Sequence, residues 1–143
     1  MSWKPNSTIG KSETIGRRVL QSHRLRNDTS KFKWDAFVET RPGANLSVDR
    51  LGEGNPIKKV VEFLRPLGEK FAEERGKPGT FLGWASWATS KLTLRPFNLR
   101  LVATPIAENV EKGVPRNDYH ADIDTARNSR EEKERIAQLL ADN

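Results

Sequence analysis

Three side chains able to move a proton or ligate a metal recur at alternate positions late in the chain: His120, Asp122 and Asp124. They sit in the stretch Pro115-Arg116-Asn117-Asp118-Tyr119-His120-Ala121-Asp122-Ile123-Asp124. Alternate residues of a β-strand share a face, so a strand would gather all three, whereas a helix would disperse them. A carboxylate beside an imidazole favours its charged form and can tune it as a general acid or base. In that reading His120 transfers the proton, Asp122 orients it, and Arg50 or Arg116 holds a phosphate, which suits the planar guanidinium fork. The substrate would be a nucleotide or RNA. The segment equally fits an ordinary half-buried strand with Tyr119, Ala121 and Ile123 turned to a core, so catalysis stays open. Metal binding by His120, Asp122 and Asp124 with His23 is a further reading, but such a set singles out no metal. Neither a metal nor a cofactor is assigned.

The elements that would position these groups follow from periodicity. Residues 1–14 are polar, without apolar rhythm, and read as a flexible basic arm ahead of a single globular domain over 15–143. Ile15, Val19, Leu20 and Leu25 recur irregularly and allow either a short strand or a loose helix. Trp34–Thr40 alternates weakly, which predicts a strand, and Leu46–Leu51 alternates more clearly, with Leu46, Val48 and Arg50 on one face. Gly52-Glu53-Gly54-Asn55-Pro56 lacks the third glycine and the Gly-Lys-Ser/Thr of a phosphate-cradling loop, and so reads as a turn. Asn55 is then the expected N-cap and Pro56 the first residue of a helix. Ile57, Val60, Val61, Leu64 and Phe71 make one apolar stripe on that helix, which Pro66 and Gly68 should kink or split near Arg65.

Leu82–Thr89, with Trp84 and Trp87, predicts a buried strand whose tryptophans anchor the core, with a short helix as the competing reading because short apolar runs are not separated by periodicity. Phe97–Ala103 predicts another strand, by alternation. Ser129 with Glu132 three residues on is a capping-box signature and opens a terminal helix with Ile136, Leu139 and Leu140 on its apolar side. Together these elements predict an α+β domain: a small, largely antiparallel sheet, covered on one face, with one long kinked helix and a C-terminal helix.

Charge is distributed unevenly. The first 33 residues hold eight Lys or Arg against Glu13 and Asp28, which accounts for the whole net charge of +6. Such a concentration points to a polyanion, either nucleic acid or an acidic protein surface, met by Arg17, Arg18, Arg24, Arg26, Lys31 and Lys33. Trp3, Phe32 and Trp34 are the aromatic residues interleaved with them. A binding domain of this kind is the leading expectation, and the small enzyme described above is its alternative. The absence of cysteine excludes disulfides, thiolate metal sites and cysteine nucleophiles. With no apolar signal core in the first twenty residues and no apolar run long enough to span a bilayer, a soluble, cytoplasmic chain is expected.

Gly16-Arg17-Arg18-Val19, Ala36-Phe37, Leu46-Ser47-Val48-Asp49-Arg50-Leu51 and Asn117 to Ile123 together resemble small uncharacterised bacterial proteins with an Asn-x-x-His-Ala-Asp-Ile-like segment. The resemblance spans about residues 16–141 and implies that the domain begins near Arg17. It carries no activity or functional residue.

Overall fold

The computed structural model describes residues 3–25, 31–39, 41 and 43–143. Five strands form one antiparallel sheet in the order β3-β1-β2-β5-β4. They are β1 (Glu13–Leu20), β2 (Leu46–Glu53), β3 (Phe81–Ala88), β4 (Leu101–Ala103) and β5 (His120–Ile123). Helix α1 spans Lys58–Glu74, a single turn α2 Thr89–Leu92, and α3 Arg130–Asp142. The domain is α+β, as expected.

The sheet carries cover on both faces rather than one. Ile15 and Val19 of β1, Val48 of β2, Trp87 of β3 and Ala121 and Ile123 of β5 belong to one apolar cluster with Ala36, Phe37, Ile136, Ala137 and Leu140. On the other face Leu51 and Trp84 pack with Val60 and Leu64 of α1. The central strand shows the consequence: Leu46 and Val48 to Gly52 are all buried, and alternation survives only at Ser47 and Glu53.

Three expected elements differ. Trp34–Phe37 is a 3₁₀ turn, not a strand, with Thr40 outside the described residues. Neighbours Ala36 and Phe37 both enter the core, which a strand would forbid by sending them to opposite faces. Phe37 there meets Trp87 edge to face, 5.3 Å between centroids. In the Phe97–Ala103 stretch only Leu101–Ala103 pairs as a strand. Phe97 and Leu99 are buried, but the amides of Asn98 and Leu99 donate back to Leu94 and Leu92, and Asn98 adopts φ 49°. The alternation there reflects side-chain burial from a turn, with no strand beside it.

Third, α1 begins at Lys58, with Ile57 rather than Asn55 as its N-cap, because the Ile57 amide donates to Leu51 and folds the chain back onto β2. The helix then runs unbroken through Pro66. The carbonyl that Pro66 leaves without a donor belongs to Glu62, and both residues are exposed, so water can satisfy it. Gly68 has a different role: a Cβ there would lie 2.2 Å from the Phe81 ring, so this glycine sets how closely α1 approaches β3.

The N-terminal residues are held against the domain. Glu13 and Thr14, assigned to an arm by composition, open β1. Trp3 stacks on Tyr119 with centroids 5.9 Å apart, and the carbonyls of Asn6 and Thr8 accept from Arg50. Ser129 does cap α3, accepting from the Glu132 amide at 3.2 Å. Among the described residues no helix is long and apolar enough to cross a membrane.

Gly68→Ala should destabilise the domain by about 1–3 kcal/mol through overpacking against Phe81. Urea denaturation followed by tryptophan fluorescence measures this, and a paired Phe81→Leu change should recover part of the loss.

Candidate functional site

Strands β1 and β2 pair only as far as Gly16 opposite Asp49, and beyond that point they separate. Arg17 fills the wedge. Its Nε donates to the Ala36 carbonyl at 3.1 Å and its Nη1 to the Ser47 carbonyl at 2.8 Å. The side chain belongs to a residue only 9 % exposed, and among the described residues no carboxylate forms an ion pair with it. Burial first, and then the positive charge of Arg75, pull this guanidinium down from 12.5 to about 10. It remains a cation at neutral pH, held by neutral acceptors alone.

Arg17 lies in the wall of a cavity of about 370 Å³ between the sheet and α1. Leu67, Lys70, Phe71, Glu74 and Arg75 line its helical side, spaced as one face of a helix. Arg75 is exposed and lies over the Phe71 ring, 4.7 Å from its centroid. The loop 106–117 forms a further wall. Its backbone pairs Ile106 with Asn117 and Asn109 with Val114. Lys70 donates from α1 to the Gly113 carbonyl, while Asn117 reaches Asp49 of the sheet at 3.3 Å. The loop therefore bridges helix and sheet along one wall of the cavity.

Asp49 organises the sheet side. It is 1 % exposed and accepts from both nitrogens of the Arg18 fork, at 2.9 and 3.1 Å, from Trp84 Nε1 at 2.8 Å, and from Asn117. These bonds consume its charge and most of Arg18's. Glu39 is likewise engaged with Arg41. Among the described residues, of the six Lys or Arg around the cavity, Arg17, Lys70, Arg75 and Lys112 are therefore left facing the single unengaged carboxylate of Glu74. The cavity is electropositive.

The expected catalytic group does not assemble. His120 and Asp122 share a sheet face, since they pair with Asp49 and Ser47, but no hydrogen bond joins them among the described residues. His120 lines the cavity; Asp122 does not. The Nδ1 of His120 lies 2.9 Å from the Thr104 hydroxyl and 3.0 Å from the Thr104 carbonyl, so Thr104 holds the ring from one side. Arg50, next in the chain to Asp49, points to the opposite face. There it is 2 % exposed and forks onto Glu13 at 2.8 and 2.9 Å. Strand alternation separates it from His120, and Glu13 occupies the fork that was expected to hold phosphate. Arg116 is tied to Asp118 at 2.8 Å. Asp124 falls past the end of β5, its amide on Arg100. No cluster of three potential metal ligands occurs among the described residues.

The basic N-terminal residues divide into two groups. Arg17 and Arg18 enter the cavity wall. Arg24, Lys31 and Lys33 are exposed on a hairpin closed by Leu25 to Lys31 and Lys33 to His23 hydrogen bonds; Arg26 lies outside the described residues. Partial burial depresses His23, and the charges of Arg17, Lys77 and Arg75 push it the same way against the pull of Asp35. The Arg17 bond to the Ala36 carbonyl, in the turn that directly follows Lys33, places this hairpin beside Arg17. Composition did not single out Arg41, Lys70, Arg75 or Lys112; the spacing of Lys70, Phe71, Glu74 and Arg75 was the signal available for α1.

Comparison with family models, curated proteins and solved structures yields no match.

Replacing Asp49 by Ala should cost about 3 kcal/mol or more, because Arg18 and Trp84 lose their shared acceptor, and should loosen the loop through Asn117. Thermal unfolding with hydrogen exchange at residues 106–117 tests both. A second expectation concerns pH. His23 in the fold takes a proton at lower pH than its ordinary value of 6.5. The unfolded chain protonates first, so the contribution is intact above that value and declines as pH falls below it. Stability measured from pH 7.5 to 5 should fall less in a His23→Asn variant.

Proposed function

We propose that this domain binds nucleic acid, seating a phosphate in the cavity beside Arg17. The observation that carries the reading is the buried guanidinium with carbonyl partners and, among the described residues, no ion pair to a carboxylate. A charge taken out of water in this way gains most from an anion delivered to it. Lys70, Arg75 and Lys112 stand around the same space and add long-range attraction.

The continuation of positive charge beyond the cavity favours a polymer. Arg24, Lys31 and Lys33 lie on the segments next to the Arg17–Ala36 bond, and Trp34 beside them is 39 % exposed. Cations following a backbone, with an aromatic side chain for a base to stack on, are the parts of a single-strand binding surface. An acidic protein would meet the cations equally well but would leave the Trp34 and Phe71 rings without planar partners. The contact would thus run from the hairpin into the domain, with Arg17 and Arg18 serving as part of the fold and not of a free arm.

Binding of a short single-stranded oligonucleotide should fall steeply with salt. Arg75→Ala, an exposed change that spares the core, should weaken it about tenfold and lower the slope of log affinity against log salt by about 1. Fluorescence anisotropy across a salt series measures both quantities. An affinity and slope equal to those of the parent chain would remove Arg75 and the cavity from the interface.

A further inference from the structure

We infer that the phosphate seated against Arg17 is a terminal phosphomonoester, so that the domain recognises the phosphorylated end of a strand. This inference rests on the nucleic-acid reading above and narrows it to a ligand class.

The shape of the cavity is the first support. The loop 106–117 is fastened to α1 through Lys70 and Gly113 and to the sheet through Asn117 and Asp49. This loop forms one wall of the space that Arg17 and Arg75 also line. A volume of about 370 Å³ is near the lower end of small-ligand sites, which suits one nucleotide and not a run of them.

Charge is the second support. Arg17 and Arg75 both lack a carboxylate ion pair among the described residues. Two guanidinium groups outside any such ion pair match a monoester, which carries about −1.5 to −2 at neutral pH and three terminal oxygens. An internal diester offers one charge and two free oxygens. Nε and Nη1 of Arg17 are committed to Ala36 and Ser47, which fixes the plane of the fork and leaves Nη2 to donate. The third support is chemical contrast across the space: Leu67, Phe71, Ile106 and Val114 supply an apolar side for the base of the same nucleotide.

The test compares one ten-nucleotide single strand in three forms, with hydroxyl ends, a 5′-phosphate or a 3′-phosphate, binding to the full chain by anisotropy. One phosphorylated form should bind at least tenfold tighter than the hydroxyl form. Arg75→Ala should erase most of that gain, and a nucleoside monophosphate should compete where the nucleoside does not. Arg17→Lys, which keeps the charge and loses the fork, should also reduce the gain. If it fails to fold, the exposed Arg75→Ala variant and the half-buried Lys70→Ala variant carry the test. Equal, salt-sensitive affinity for all three forms would overturn strand-end recognition while leaving nucleic-acid binding in place. Binding of the mononucleotide without binding of any oligonucleotide would overturn both strand readings and assign the cavity to a free nucleotide.

Discussion

A carboxylate almost wholly removed from water has to be surrounded by donors, and Asp49 is surrounded by three residues from three parts of the chain. Arg18 comes from the neighbouring strand, Trp84 from the strand beyond it, and Asn117 from the loop that leads into β5. In a medium of low polarity each such bond is strengthened, and each missing partner would be costly. The arrangement therefore fixes the register of β1 on β2, the seat of the Trp84 ring under α1, and one foot of the loop. The other face has a counterpart in Glu13 and Arg50, which tie the start of β1 to β2 and draw the N-terminal residues across the sheet edge. Two buried ion pairs on opposite faces thus hold the central strands.

The electropositive cavity follows from where those pairs are absent. The strands separate after Gly16 and Asp49, and the guanidinium of Arg17 enters the opening with only carbonyl groups to receive it. Asp49 is already saturated by its own donors and does not neutralise Arg17. Helix α1, held close to the sheet by the absence of a side chain at Gly68, brings Lys70 and Arg75 over the same opening. Positive charge converges there because folding has used the nearby carboxylates elsewhere.

Much of the architecture was legible in the chain. Leu46–Leu51 and the Ser129 cap each carry a local signal, alternation in one and a capping hydroxyl in the other, that needs no distant partner to be effective. Trp34–Thr40 and Phe97–Ala103 misled because alternation reports burial, and a turn pressed into the core buries residues in much the same order as a strand. The Pro66 break failed to appear because its cost depends on whether the orphaned carbonyl faces solvent, which is a property of the helix's orientation.

The candidate site was less legible. Residue types alone drew attention to His120, Asp122 and Arg50, and strand alternation alone could have placed Arg50 opposite His120 once its register was known. The chain by itself determined the alternating and helical segments, the excess of positive charge in the first 33 residues and the absence of thiol chemistry, since these depend on neighbours in sequence. Tertiary structure decided which arginines are spent on carboxylates and which stay unpaired. Arg17 and Arg18 are adjacent and chemically identical; opposite sides of one strand give Arg18 a buried aspartate and leave Arg17 with carbonyls. Ion pairing inside a protein is settled by distances of a few ångströms between segments far apart in the chain, and no local pattern encodes those distances.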